Sequence, residues 1–124
     1  MSAAIFNFTG KYILEQGAGK EVILYLVKDG IPWNLSGFEA KLQVKTDFSN
    51  TVSIITLTSD PDGGLTINGT DGSIKITWSV ANILSLSSGK AYVFDLLIMD
   101  TGNTSVPIKI IKGIVEAESG VTRI

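Results

Sequence analysis

In Phe38-Glu-Ala-Lys-Leu-Gln-Val-Lys45, the apolar Phe38, Ala40, Leu42 and Val44 alternate with the polar Glu39, Lys41, Gln43 and Lys45. A period of two sends successive side chains to opposite faces of a pleated chain, so this segment reads as a strand with one face in a core and one in water. The same reading extends in both directions. Upstream, Glu21-Val-Ile-Leu-Tyr-Leu-Val-Lys28 is rich in β-branched and aromatic residues, and Asp29-Gly30 closes it as a turn. Downstream, residues 52–58 form a third run, ended by Asp60-Pro-Asp-Gly-Gly64, where proline and two glycines cannot continue a ladder. Leu65-Thr-Ile67 and Ser73-Ile-Lys-Ile-Thr-Trp78 flank Asn68-Gly-Thr-Asp-Gly72, a hairpin signature. Between Ser79 and Gly89, Val80, Ile83, Leu84 and Leu86 take helical spacing over a short span, which predicts one or two helical turns crossing between sheets. Residues 91–99 and 107–117 are the last runs, and the turn residues Asp100-Thr-Gly-Asn-Thr-Ser105 between them predict a hairpin.

With residues 5–14 read as a strand, the chain carries about 7–8 strands and little helix. The spacing of turns predicts an all-β fold, an antiparallel β-sandwich of immunoglobulin-like type lacking the Cys-Trp-Cys core of antibody domains, with a small β-barrel as the alternative. Residues 1–124 read as a single domain, with 1–14 either an N-terminal arm or the first strand. At this mass, surface scaling gives roughly 6,400 Å² exposed when folded against about 19,000 Å² unfolded, enough burial for one core.

Composition narrows the chemistry. The absence of cysteine excludes disulfides and thiolate metal sites, and the absence of histidine excludes Ser-His and Cys-His nucleophile pairs and imidazole-ligated metals. A net charge of -2, with no block of like charge, argues against nucleic acid as a partner. The start, Met1-Ser-Ala-Ala-Ile-Phe-Asn-Phe8, has neither the basic nor the apolar region of a signal peptide, and no apolar run approaches the roughly 20 residues of a membrane helix. Neither export nor a membrane is expected. A mean hydropathy of +0.32 is high for so small a domain and points to assembly.

Several constellations have a structural reading beside a functional one. Asp60, Asp62 and Asp71 are oxygen ligands in type, but their spacing fails an EF-hand loop and Asp-Pro and Asp-Gly are common turn dipeptides, so no metal is expected. Trp33, after Pro32 in a loop, is the best-placed residue for stacking on a sugar, whereas Trp78 at a strand end reads as core. Glu39, Asp29 and Asp100 fall in turns or on polar strand phases rather than as an acid and base flanking a cleft, and no nucleophile elbow is present. No catalytic residue, cofactor or enzymatic activity is expected. Asn7, Asn34, Asn68 and Asn103 head Asn-x-Ser/Thr triplets that read as loop chemistry. Ile5, Phe6, Phe8, Tyr12, Ile13 and Leu14 make an apolar arm, either the first strand or a segment that adds to a neighbour's sheet edge. In the second case, residues 1–14 are removable without unfolding the domain. Ile5, Phe6, Phe8, Tyr12 and Trp33 are the candidate partner contacts.

The order of features resembles a family of tailed-bacteriophage structural proteins, similar to the N-terminal domain of phage baseplate upper proteins. The resemblance lies in Phe8-Thr-Gly-Lys-Tyr12, in residues 24–31, and in Trp33-Asn-Leu-Ser-Gly-Phe38 leading into an alternating strand. It continues in Gly64-Leu-Thr-Ile-Asn-Gly-Thr-Asp-Gly-Ser-Ile74, a Leu-rich crossover ending at Gly89, Ala91-Tyr-Val-Phe-Asp-Leu96, Ile111-Lys-Gly-Ile-Val115 and the final Val121-Thr-Arg123. Asn34 departs from the Asp more usual there, and no coiled coil or receptor-binding module follows. The resemblance implies a multicopy, non-enzymatic virion protein made in the host cytoplasm, a tail or baseplate adaptor bound to other virion proteins, with homo-oligomerisation expected. A head decoration protein is the alternative within that class, and a carbohydrate-binding module the alternative outside it.

Overall fold

The computed structural model describes residues 4–119, the side chains of 103–105 excepted. The chain is all-β. Its strands are β1 (Ala4–Ile5), β2 (Leu14–Glu15), β3 (Lys20–Tyr25), β4 (Val27–Lys28), β5 (Ile31–Pro32), β6 (Phe38–Lys45), β7 (Ile55–Thr58), β8 (Leu65–Asn68), β9 (Ser73–Trp78), β10 (Ala91–Asp100) and β11 (Asn103–Glu118). A 3₁₀ turn at Gly10–Tyr12 and the helix α1 (Val80–Leu84) complete it. One sheet has the order β1-β11-β10-β6-β7, with β2 also paired to β11, and a second has the order β3-β9-β8. The inner residues of both join one core, a sandwich with Leu42, Val44, Phe94 and Leu96 from the first sheet and Ile74, Ile76 and Trp78 from the second.

Local chemistry explains the elements. In β6, Ala40, Leu42 and Val44 are buried and the residues between them are half-buried, as the alternation requires. Asp29 and Gly30 both take positive φ, 54° and 81°, and close the β4–β5 hairpin, whose Lys28 and Ile31 face each other across the turn. Ser79 caps α1 by accepting the Asn82 N–H at 3.0 Å, while Asn82 Oδ1 accepts the Ser79 N–H at 3.1 Å. That reciprocal cap sets a short helix where the crossover was expected. The β8–β9 and β10–β11 hairpins pair as the turns predict.

The N-terminal segment departs from a single antiparallel strand. It runs parallel to β11: Ala4, Ile5 and Phe8 face Ile111, Lys112 and Val115, whereas Leu14 and Glu15 face Ala117 and Glu118. Partner numbers differ by 107 in the first group and by 103 in the second, so four extra residues are looped out between them. The 3₁₀ turn at Gly10–Tyr12 takes up that slack. Close approach is possible because residue 113 is glycine: a Cβ there would overlap the carbonyl oxygen of Phe6.

A bulge in β11 shapes the same flank. Between Leu96, which faces Ile111, and Leu97, which faces Lys109, the pairing skips a residue. Alternation therefore breaks, and the adjacent Ile110 and Ile111 are both buried.

Candidate interaction surface

The sandwich has two flanks where sheet edges come together. On one, the loop between β7 and β8 folds back on β7, Thr58 donating its N–H to Gly63 O at 2.9 Å, while Thr77 of β9 extends the β8–β9 ladder by donating to Gly64 O at 2.8 Å. The Ser59 hydroxyl also accepts the Ala40 N–H at 2.9 Å. A broad depression of about 870 Å³ lies beside this loop. Beside it the Thr58 N–H and Gly63 O are already bonded to each other.

On the other flank, between β1 and β3, no backbone bond joins the two strands among the described residues. A groove of about 380 Å³ runs there, with Ile5 and Phe6 on one wall, Tyr25 and Val27 on the other, buried Ile110 and Ile111 at the base, and Trp33 also lining it. Among the described residues lining it, Tyr25 alone is ionisable. Ile5 is 71% exposed, Tyr25 66%, Val27 62%, and the nearby hairpin residue Ile31 65%. Their clustering along one flank, rather than their number, makes it the candidate interaction surface. Phe48 and Val52 are also exposed, but on the separate loop between β6 and β7.

The five candidate contacts divide. Ile5, Phe6 and Trp33 line the groove together. Phe8 is fully buried, edge-on to Trp78 and Phe94 with ring centroids 5.2 Å away in both cases. Tyr12 is half-buried, 5.1 Å from the Phe6 ring, with the Lys11 ammonium 5.2 Å above it. The arm is also tied by backbone: Phe6 N–H bonds to Lys112 O at 3.0 Å and Phe8 N–H to Ile114 O at 2.8 Å. Phe8 and Leu14 both belong to the domain's own core, so deleting residues 1–14 would strip two core side chains, unlike the loss of a detachable arm. Trp33, the sugar-stacking candidate, has the Lys28 ammonium 5.0 Å over its ring and Phe38 edge-on at 6.4 Å.

Of the polar candidates, four are engaged in turns and Asn7 bridges to β11. Asp71 Oδ1 accepts the Ser73 N–H at 2.9 Å, and Asp100 Oδ1 accepts the Gly102 N–H at 2.8 Å. Asn7 Oδ1 accepts the Ile114 N–H at 3.0 Å, and Asn34 Oδ1 the Ser36 N–H at 2.9 Å. Asn68 Oδ1 accepts the Thr70 hydroxyl at 3.0 Å. The Asn103 side chain and Val121-Thr-Arg123 lie outside the described residues. Two groups are shifted from their ordinary pKa, both away from the groove. The Asp47 carboxyl is held low, chiefly by the Ser49 hydroxyl. For Tyr92, burial raises the phenol, but bonds from Ser87 and the Lys90 charge together outweigh it and bring the phenol lower.

Sequence reasoning missed the wall formed by residues 24–27, and Ile110 and Ile111 at the base, as groove residues. The signals were present: apolar side chains run unbroken from Val22 to Val27, and two isoleucines stand side by side at 110 and 111. A strand wet on one face shows neither pattern. No protein-family model matches this sequence, and no curated protein matches it.

Proposed function

We propose that this protein is a non-enzymatic structural component of a tailed-phage virion, a tail or baseplate adaptor that joins neighbouring proteins through the flank between β1 and β3. The observation that carries the reading is the groove itself: two strand edges with exposed Ile5, Tyr25, Val27 and Ile31 between and beside them. A flank that combines apolar side chains with strand edges suits recognition by strand addition, in which backbone bonds give affinity and side-chain pockets give selectivity. Assignment to a virion rests on the resemblance of Phe8–Tyr12, Trp33–Phe38 and Gly64–Ile74 to baseplate upper proteins.

Immunogold electron microscopy of particles from the source culture, with antibody raised against the purified chain, tests this assignment. Label at the tail tip is the expected result. Label over the head would replace the adaptor with a decoration protein, and absence of label from intact and disrupted particles alike would reject a virion role.

A further inference from the structure

Among the described residues, none pairs with the outer edge of β3. Leu26 donates its N–H to Gly72 O at 2.8 Å, continuing the antiparallel register that pairs Leu24 with Ile74 and Val22 with Ile76. Bonded and non-bonded pairs alternate in such a ladder, so the even-numbered residues of β3 bond to β9. The N–H and C=O groups of Glu21, Ile23 and Tyr25 therefore face the free side. The Trp33 N–H reaches Leu26 O at 2.9 Å, which places β5 on the β9 side, so that β5 does not cover the free edge either. Edges of this kind are usually blunted by charge, proline or a bulge. Here the charges, Lys20 and Glu21, stand only at the start of the strand, while Ile23 is 50% and Tyr25 66% exposed.

We propose that a second copy of this chain occupies this edge, β3 pairing antiparallel with β3 of its partner about a two-fold axis at Ile23. The inference rests on reading this flank as an interaction surface, and it names the occupant of one edge of it. In this register Ile23 faces the partner's Ile23 and Glu21 faces the partner's Tyr25, so the outward backbone groups of all three residues are bonded. Charge selects it over its neighbours. Centring the pair on Leu24 would set Lys20 against the partner's Lys28, a like-charge pair directly opposite. Centring it on Val22 would leave Tyr25 with no partner residue in β3. The Ile23 register places no like charges opposite each other, and joins two three-stranded sheets into a continuous one.

Sedimentation-velocity ultracentrifugation of the full chain tests the proposal. At about 100 μM, where even weak dimers are populated, the wild type is expected to sediment at twice the 13.2 kDa chain mass. Ile23→Lys sets two ammonium groups face to face on the axis and is expected to weaken dimerisation about 100-fold. Ile23→Glu should do the same, and an equimolar mixture of the two variants should restore the dimer. Circular dichroism should show both variants folded, since the side chain is half exposed. A monomeric wild type at that concentration, a dimeric Ile23→Lys, or a mixture that stays monomeric would overturn the proposal. A monomeric chain that still labels tail tips would end the dimer and leave the adaptor role standing.

Discussion

Phe8→Ala is expected to destabilise the protein by about 3–5 kcal/mol, the usual cost of emptying a buried phenylalanine site. Three aromatic neighbours would lose their partner at once: Phe6 at 5.1 Å, and Trp78 and Phe94 at 5.2 Å, all in edge-on contact. The cavity would sit where the N-terminal segment joins β11 and the two sheets meet, so relaxation by a simple side-chain shift is limited. For a domain of this length the loss corresponds to a fall in Tm of about 10–20 °C. Differential scanning calorimetry gives the number directly. A shift below about 3 °C would show that the segment around Phe8 is not integral to the core, and would return it to the role of a detachable arm.

The second large effect is expected at Gly72, where backbone conformation and space act together. Its φ is +72°, a region that L side chains rarely adopt, and a Cβ would lie 2.6 Å from Trp33 O and 2.9 Å from Leu26 O. Left-handed backbone costs roughly 1–2 kcal/mol for a residue with a side chain, and overpacking adds about 1–3 kcal/mol. Gly72→Ala is therefore expected to lose about 2–5 kcal/mol. The hairpin of β4 and β5 would be the part to move, because Leu26 and Trp33 hold it against this glycine through the Leu26 N–H bond. Trp33 fluorescence should then shift to the red while buried Trp78 is unchanged below the melting transition. Wild-type Tm and emission in Gly72→Ala would contradict this account of how the hairpin is anchored.

The sandwich was legible in the sequence wherever one face of a strand is dry and the other wet. β6 announces itself because Ala40, Leu42 and Val44 must enter the core while Lys41 and Gln43 must not. The hairpins were legible because their turns require particular residues, as at Asp29-Gly30. The N-terminal segment was not, because its parallel pairing to β11 joins residues more than a hundred positions apart and no local pattern encodes the partner. Its apolar content was read correctly, yet burial divides it: Phe8 and Leu14 turn into the core, and Ile5 and Phe6 line the groove. Part of the groove was visible in advance through Ile5, Phe6 and Trp33. The remainder comes from the β11 bulge, which turns Ile110 and Ile111 to the same side, and from β3, whose position at a sheet edge is a property of the topology.

The β1–β3 flank is the centre of the account, and a surface variant tests it without touching the core. Ile5→Asp and Tyr25→Asp together place two carboxylates on exposed walls of the groove, at positions 71% and 66% exposed. The measurement is the copy number of this chain in purified particles assembled with the variant in place of the wild type. The account predicts a chain with wild-type Tm whose incorporation falls by about tenfold or more, since two charges must be desolvated on docking. Incorporation of the folded variant at the wild-type level would contradict it.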